Sequence, residues 1–323
     1  MSLPQLRVLT LNVTELCDAA CCYCQWWQIK AEPEPLDVLL RAVDQAAAIG
    51  TKAVRISGGE PLLRPDLPTL VAHIRKRGLI AMVCTAAKCE AAPLLALLDA
   101  GLDVLSISLD TLDPKVFHRI RGYEIGLVLK NLSRFAESHF RINCEIILSV
   151  VITRPSLDGL AELLQYARSL DLLVSITPFQ DAGLKHGAGT STLGFSNVDE
   201  SRLRSAIGLV RKAAASGVRI INADEFLDGA ATFLSRHSLP VGYACHAGDA
   251  AAIRMAGGRL KLCHSLEGIP GVDLAAAWNS DEASVLRERM ARLDCPGCWL
   301  SCHADQRRPV AHRYGRPEIW EAL

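Results

Sequence analysis

The chain has 323 residues, of which 50% are hydrophobic, so it can bury a large core in one domain with an appendage or in two domains. Lys plus Arg and Asp plus Glu both total 35, and this balance gives no electrostatic reason to expect a nucleic-acid or membrane partner. The amino terminus lacks the apolar core of a signal peptide and no apolar run is long enough to cross a bilayer, so we expect a soluble cytoplasmic protein.

Strand-like and helix-like segments alternate along the first two thirds of the chain. The pattern predicts strands over residues 6–13, 53–57, 80–85, 104–109, 141–152 and 173–178. It predicts helices over residues 36–49, 66–77, 91–100, 125–137, 157–169 and 198–216. These six β-then-α units indicate an α/β fold with a parallel sheet and helices outside it.

Right-handed crossovers would curl this sheet into a partial (β/α)6 TIM-like barrel. In such barrels the chemistry gathers at the carboxyl ends of the strands. From about Tyr243 onward regular periodicity weakens and cysteines return. We therefore predict a core barrel over residues 1–220 and a small carboxyl-terminal extension over residues 221–323.

Most of the twelve cysteines fall into two groups, one near each end of the chain. In a long chain without an export signal, such groups favour metal or cluster ligation over disulfides. The first group follows the first strand, where Cys17, Cys21 and Cys24 have the spacing Cys-x3-Cys-x2-Cys. Three thiolates can hold three irons of a [4Fe–4S] cube and leave the fourth iron open, whereas a structural zinc site needs four ligands. A zinc-bound or buried cysteine cluster is the alternative.

With Tyr23 before its last cysteine, this loop resembles the signature loop of the radical S-adenosylmethionine (SAM) superfamily. The resemblance implies that SAM chelates the open iron and is split into methionine and a 5′-deoxyadenosyl radical. The predicted second strand ends in Gly58, Gly59 and Glu60, followed by a proline. This string resembles the superfamily's GGEP motif, whose backbone and Glu bind the SAM amino group.

Three further residues are candidates for cofactor binding. Thr85 ends the third strand, where many relatives have Thr-Asn-Gly and this chain has Thr-Ala-Ala. Ser108 belongs to a Ser-Leu-Asp string like that of relatives, in which the Ser lies near SAM. A hydroxyl that is bonded within the core is the alternative for Ser108. Glu145 lies in an apolar strand and either points inward to SAM ribose or substrate, or sits at a solvated edge.

The second cysteine group resembles the SPASM/Twitch extensions of radical SAM enzymes, which bind auxiliary clusters. Its spacing is Cys-x12-Gly-x4-Cys, then a gap and Cys-x2-Cys. The resemblance implies one auxiliary [4Fe–4S] cluster, so that the extension is a Twitch-like cluster-binding domain, with zinc as the alternative. The implied ligands are Cys245, Cys263, Cys295 and Cys298. Cys302 is surplus, and either replaces a ligand, stays free or donates a hydrogen atom to a substrate radical.

These resemblances imply an oxidoreductase or epimerase that removes a hydrogen atom from a small molecule such as a sugar or aminocyclitol. A flavodoxin or a ferredoxin-like protein would supply electrons. Peptide maturation with a separate recognition protein is one alternative, and a non-radical iron–sulfur electron carrier or zinc protein is another. The strings at 57–67 and 106–114 also resemble the GTP cyclases of molybdopterin biosynthesis. We expect a different activity, because the auxiliary cysteines and the terminal Trp-Glu-Ala-Leu differ from that family.

Overall fold

The computed structural model describes residues 4–135, 144–180, 192–271 and 273–300, together with residues 316 and 319. Its described strands are β1 (Val8–Thr14), β2 (Ala53–Gly58), β3 (Ile80–Thr85), β4 (Val104–Ser108), β5 (Glu145–Ile152), β6 (Leu173–Pro178), β7 (Arg219–Ile220), β8 (Ala251–Arg254) and β9 (Leu260–Lys261). Its described α-helices are α1 (Leu36–Ala48), α2 (Leu67–Lys76), α3 (Ala91–Asp99), α4 (Pro114–Arg121), α5 (Gly126–Phe135), α6 (Leu160–Ser169), α7 (Glu200–Ala215), α8 (Asp224–Arg236), α9 (Leu274–Trp278) and α10 (Asp281–Ala291).

The strands form one sheet in the order β7-β6-β5-β4-β3-β2-β1-β8-β9, and β8–β9 is the antiparallel pair. All six predicted βα units are confirmed, so the fold is the expected α/β arrangement with a parallel, barrel-like sheet. Among the described strands β7 and β9 lie at the two edges, so the sheet is not a closed barrel. Within the described residues no helix has both the length and the apolar character that crossing a membrane requires.

Besides α8, α9 and α10 in the segment after residue 220, the structure adds a helix within the predicted barrel that the periodicity analysis did not predict, α4. The Asp113 side chain caps it by accepting hydrogen bonds from the backbone N–H groups of Lys115 and Val116. Pro114 takes the first helical position, and Gly122 ends the helix with a left-handed φ of 76°. These are ordinary start and stop signals for a helix.

The segment after residue 220 contributes to the same sheet. Strand β8 pairs in parallel with β1, with Val8 opposite Ala251 and Leu11 opposite Arg254. The side chain of Arg254 also forms an ion pair with Glu34, at 2.6 Å between Nη1 and Oε2. The division into domains at residues 220 and 221 stays a prediction, because a shared sheet does not say which parts fold independently.

The two faces of the sheet carry side chains of two separate apolar groups. On the outer face, Leu11, Ile56 and Val83 pack with the helices in the main core. On the other face, here called the inner face, a separate apolar group closes the amino end of the strands. This group, the apolar floor, consists of Val8, Ala53, Met82, Val104, Ile147, Leu173 and Ile319.

Candidate functional site

The loop that carries Cys17, Cys21 and Cys24 begins at the carboxyl end of β1. Cys21 is buried and the other two are half-buried. Burial, together with the nearby charges of Glu60, Cys21 and Cys24, raises the pKa of the Cys17 thiol to about 11. Because the three thiols lie close together, thiolates at these positions would repel one another and need a positively charged partner. An iron–sulfur cluster supplies such a partner, so this donor set fits the predicted [4Fe–4S] group.

The described residues contain no group of three or more His, Cys, Asp or Glu side chains arranged to hold one metal ion. Each cysteine of an iron–sulfur cube binds a different iron, so its ligands have a wider spacing than those of a single ion.

The glycines at the end of β2 hold the cysteine loop in place. The Gly59 N–H donates to the Thr14 carbonyl and the Glu60 N–H to the Leu16 carbonyl, each at 2.8 Å. A Cβ on Gly59 would lie 1.9 Å from the Leu16 oxygen, and one on Gly58 would lie 2.3 Å from the Thr14 oxygen. Only glycine permits this close approach. The predicted contact of Gly58 and Gly59 with SAM stays a prediction, beside this structural role.

The Glu60 carboxylate is buried and accepts three hydrogen bonds from the protein itself. Its Oε1 accepts from the Thr85 hydroxyl at 2.7 Å and from the Leu62 N–H at 3.0 Å, and Oε2 accepts from the Ala86 N–H at 2.7 Å. Burial raises the pKa of the Glu60 carboxyl, and these three donors oppose the rise. A carboxylate has about four acceptor positions, so one stays open for a ligand such as an ammonium. Glu60 and Thr85 thus form one bonded unit between β2 and β3.

A buried ion pair lies beneath the cysteine loop, and the sequence analysis missed it. The Arg121 guanidinium, at the end of α4, makes two hydrogen bonds to Asp110, at 2.7 and 2.8 Å. It also lies 5.3 Å from the centre of the Tyr23 ring. Burial raises the pKa of the Cys21 thiol, and the charge of Arg121 opposes that rise. The signal that would have found Arg121 is the Asp-Pro start and Gly end of α4.

Polar side chains line the inner face above the apolar floor. Because side chains alternate along a strand, residues two and four places beyond the floor share its face. The residues of this polar layer are Thr10, Asn12, Arg55, Ser57, Cys84, Ser106, Ser108, Ser149, Ser175 and Thr177. Ser108 is in this layer, opposite Ser149, as its predicted cofactor role requires. The role itself stays a prediction.

Glu145 lies at the opposite end of the strands from the cysteine loop, and its predicted cofactor role stays a prediction. It is the first residue of β5 and lies opposite Val104, at the amino end of the strands. The apolar floor separates this position from the cysteine loop. Its carboxylate instead pairs with Arg219 at 3.3 Å and accepts the Arg316 N–H at 3.0 Å. Glu145 therefore forms an ion pair at the level of the floor.

In the second cysteine group, Cys263 is buried in a small core against which Cys245 and Cys295 also pack. The Cys245 sulfur accepts the Ala247 N–H at 3.5 Å, and the Cys263 sulfur accepts the Ser265 N–H at 3.3 Å. Backbone donors of this kind stabilise thiolates at metal centres.

Cys298 is buried beside Trp299, which ties it to the end of β6. The Gln180 side chain accepts the Trp299 N–H at 3.1 Å and donates to its carbonyl at 3.2 Å. The segment with Cys298 therefore lies at the carboxyl end of the sheet, the same end as the first cysteine loop. Cys302, the candidate hydrogen-atom donor, lies outside the described residues.

Comparison with known proteins gives a consistent result. A family model described as Radical SAM superfamily matches residues 11–167. The chain is 30% identical over 308 residues to the GTP 3′,8-cyclase of Xanthomonas axonopodis pv. citri, covering 88% of each protein. It is 28% identical over 182 residues to the probable GTP 3′,8-cyclase of Methanococcus aeolicus, covering 54% of this chain and 60% of that protein.

Among solved structures, Streptococcus suis SuiB bound to precursor peptide SuiA has a TM-score of 0.71. The match covers 92% of this chain and 70% of SuiB at 19% identity. At this identity the likeness concerns the fold alone.

Proposed function

We propose that this chain, which belongs to the radical SAM superfamily, cleaves SAM reductively and removes a hydrogen atom from a small molecule bound at the polar layer. Membership of the superfamily implies a [4Fe–4S] cluster and SAM. The observation that carries the finer proposal is that the cysteine loop and the polar layer open at the same end of the sheet. A substrate on the inner face would thus lie next to SAM.

Different residues of the chain would bind the cluster, position the cysteine loop and bind SAM. Cys17, Cys21 and Cys24 would hold the cluster, which when bound supplies the electron that splits SAM. Gly58 and Gly59 fix the cysteine loop against β2, and Glu60 keeps one acceptor position for the SAM amino group. These contacts pre-organise the loop before SAM binds, so that little binding energy is lost in ordering it.

A small molecule with several hydroxyl groups suits the polar layer. The hydroxyls of Ser106, Ser149 and Ser175 lie on three neighbouring strands of the inner face. Hydroxyls both donate and accept hydrogen bonds, so they complement the hydroxyl and amino groups of a sugar or aminocyclitol. The name GTP 3′,8-cyclase also gives a small molecule as the substrate of the sequence relatives.

The second group, Cys245, Cys263, Cys295 and Cys298, would hold an auxiliary [4Fe–4S] cluster. The N–H donors to two of these sulfurs and the position of Cys298 at the carboxyl end support this assignment. Such a cluster would take one electron from the substrate radical, which also releases a proton, and the product is then dehydrogenated. If a thiol instead returns a hydrogen atom to the opposite face, the product is an epimer.

Peptide maturation is the second candidate function. The solved structure of SuiB holds the precursor peptide SuiA, and the match to its fold covers 92% of this chain. A peptide substrate would need to enter the inner face from the carboxyl end. The two candidates differ in whether a peptide or a small molecule accelerates 5′-deoxyadenosine formation.

Anaerobic reconstitution followed by metal analysis and dithionite reduction with SAM tests the core of the proposal. We expect about eight irons per chain and formation of 5′-deoxyadenosine. The triple variant Cys17→Ala, Cys21→Ala, Cys24→Ala should keep about half of the iron and form no 5′-deoxyadenosine. Cys22→Ala, in the same loop, is the matched control and should behave as wild type. Zinc without iron, or unchanged product in the triple variant, would contradict the proposal.

A further inference from the structure

We propose that Arg121 raises the reduction potential of the cluster in the first cysteine loop, because its guanidinium donates a hydrogen bond to the sulfur of Cys21. This inference rests on the proposed function, since it assumes that Cys17, Cys21 and Cys24 hold that cluster, here called the first cluster. Arg121 is the last residue of α4, and both its side chain and that of Cys21 are buried.

The end of α4 is fastened to the cysteine loop on both sides of this arginine. Before it, the Ile120 carbonyl accepts the N–H of Cys22 at 3.0 Å. After it, Gly122 lies so close to the loop that a Cβ would be 2.6 Å from the Ala20 oxygen. Ala20 and Cys22 are the two neighbours of the buried cysteine. The backbone therefore holds the arginine and the cysteine next to each other.

Asp110 fixes the guanidinium without using all of its donors. The Nε and Nη2 groups of Arg121 donate to this carboxylate at 2.7 and 2.8 Å. A guanidinium has five N–H donors in a rigid fork, so others stay available for a second acceptor. Arg121 also forms a side-chain hydrogen bond with the Cys21 thiol. The Tyr23 ring, 5.3 Å from the guanidinium carbon, helps to shield this group from water.

The ion pair of Arg121 and Asp110 is neutral as a whole, so its effect depends on which partner faces the cluster. Burial has the largest effect on the pKa of the Cys21 thiol and raises it. Among the nearby charges, that of Arg121 lowers this pKa by more than that of Asp110 raises it. The Asp110 carboxylate is turned toward β5, where it accepts the Val151 N–H at 2.9 Å. The positive end of the pair thus points at the cysteine loop.

A donor in this position favours the reduced form of a cluster. Reduction adds a negative charge that the ligand sulfurs share, and hydrogen bonds to those sulfurs are among the factors that set the potential of an iron–sulfur cluster. Because the site is buried, water screens the guanidinium charge only weakly. Arg121 would therefore make it easier for an electron donor to reduce the first cluster.

A redox titration followed by electron paramagnetic resonance (EPR) tests this inference in the reconstituted protein. The double variant Arg121→Gln, Asp110→Asn removes the guanidinium without leaving a buried charge unpaired. The EPR signal that changes on addition of SAM identifies the first cluster, whose potential is then measured without SAM. The equilibrium constant for reduction should fall at least about tenfold, because a charge-assisted hydrogen bond is lost. This change corresponds to a potential lower by about 59 mV. An unchanged potential would overturn the proposal.

A second double variant controls for the general loss of an ion pair. Arg75 pairs with Asp103 at 2.7 Å, and this carboxylate is also buried, at the amino end of β4. Arg75→Gln, Asp103→Asn should destabilise the protein and leave the potential of the first cluster as in wild type. If the potential falls equally in both double variants, it follows stability and not the bond to Cys21, and the proposal is wrong.

A measurement on the wild-type protein does not depend on how well the variants fold. Protein made with arginine that carries ¹⁵N in its guanidinium should show a magnetic coupling between this nitrogen and the reduced first cluster in pulsed EPR. Arg121→Lys, which keeps the charge beside Asp110, should lose that coupling and retain part of the potential difference. A labelled wild type without the coupling would refute the proposal by itself.

The same experiments separate this inference from the proposed function. If the wild-type protein binds no iron or forms no 5′-deoxyadenosine, the proposed function fails. If it does both, but neither the potential nor the ¹⁵N coupling depends on Arg121, only the present inference fails.

Discussion

Arg121 and Asp110 form a two-point ion pair in which the side chains are 8% and 0% exposed. Burial alone would lower the pKa of Arg121, but the charges of Asp110, Tyr23 and Cys21 and the hydrogen bonds to Asp110 together outweigh it, and the pKa is raised. Asp110 also accepts the Val151 N–H at 2.9 Å and so connects β4 to β5. Cys22 joins this structure through its N–H, which donates to the Ile120 carbonyl at 3.0 Å. The ion pair therefore supports the cysteine loop from below.

Replacement of one partner of this buried ion pair should strongly destabilise the protein. Asp110→Asn leaves a buried guanidinium without its counter-charge, and we expect the free energy of unfolding of the cluster-free protein to fall by about 3–5 kcal/mol. Urea denaturation measures this change. Asp37→Asn breaks the exposed pair of Asp37 with Arg41 on α1 and should cost at most about 0.5 kcal/mol. A similar loss of unfolding free energy in the two variants would show that the buried pair stabilises the protein no more than the exposed pair does.

The raised pKa of Glu60 predicts that the stability of the protein depends on pH. Burial raises its pKa in the folded protein above the unfolded value, so the folded state holds its proton to higher pH. The stability that this proton contributes is fully present below the unfolded pKa and is lost as the pH rises through the folded pKa. The stability of wild type relative to Glu60→Gln, which does not titrate, should therefore fall as the pH is raised from about 4.5.

Urea denaturation of the cluster-free proteins at several pH values checks this sign. Glu162→Gln, at an exposed position on α6, is the control and should leave the pH profile of wild type unchanged. A wild-type stability that rises relative to Glu60→Gln over the same range would mean that the hydrogen bonds from Thr85 and Ala86 outweigh burial.

Local patterns in the sequence predicted most of the fold. The bounds of β3 and β6 agree with the predicted strands, because apolar runs that end at turn residues are local signals. The cysteine loop and the Gly58–Glu60 string were predicted as parts of one site, and the backbone bonds between them place them together. What the sequence does not show is which atoms make that contact: a Cβ on Gly59 would lie 1.9 Å from the Leu16 oxygen.

Features that depend on distant parts of the chain could not be predicted. Strand β8 joins β1 across more than two hundred residues, and nothing in either segment specifies the other. The alternation of side chains along β5 puts Glu145 on the inner face. Because β5 begins at Glu145, however, this side chain lies at the amino end of the strands.

Cys302 distinguishes the two proposed outcomes of the reaction. Four other cysteines suffice for one cube, so Cys302→Ala should keep the iron content and still form 5′-deoxyadenosine. If the enzyme is an epimerase that uses this thiol as hydrogen-atom donor, the variant should make no epimer. A dehydrogenase should keep its product. Loss of about half the iron would instead make Cys302 a ligand and remove one of the four assigned cysteines.

Gly229 on α8 is in close contact with the indole of Trp299. A Cβ at Gly229 would lie 1.9 Å from the Cζ2 atom of that ring. The ring cannot easily move away, because it stacks on Phe226 at 5.8 Å and its Nε1–H donates to the Phe226 carbonyl at 2.8 Å. A methyl group at this position must displace Trp299 or the helix. Displacement of Trp299 would also move Cys298, the adjacent residue.

Gly229→Ala should therefore lower the free energy of unfolding by about 1–3 kcal/mol, the usual cost of overpacking. If Cys298 is a ligand of the auxiliary cluster, iron after reconstitution should also fall toward about half, while SAM cleavage by the first cluster persists. The matched control is Gly208→Ala on α7, where a Cβ would meet nothing within 4 Å. That change should stabilise the helix by about 0.5–1 kcal/mol, because alanine restricts the unfolded chain more than glycine does. If Gly229→Ala is destabilised but still binds the full amount of iron, the packing of Trp299 does not affect the cluster. That result would argue against Cys298 as a ligand.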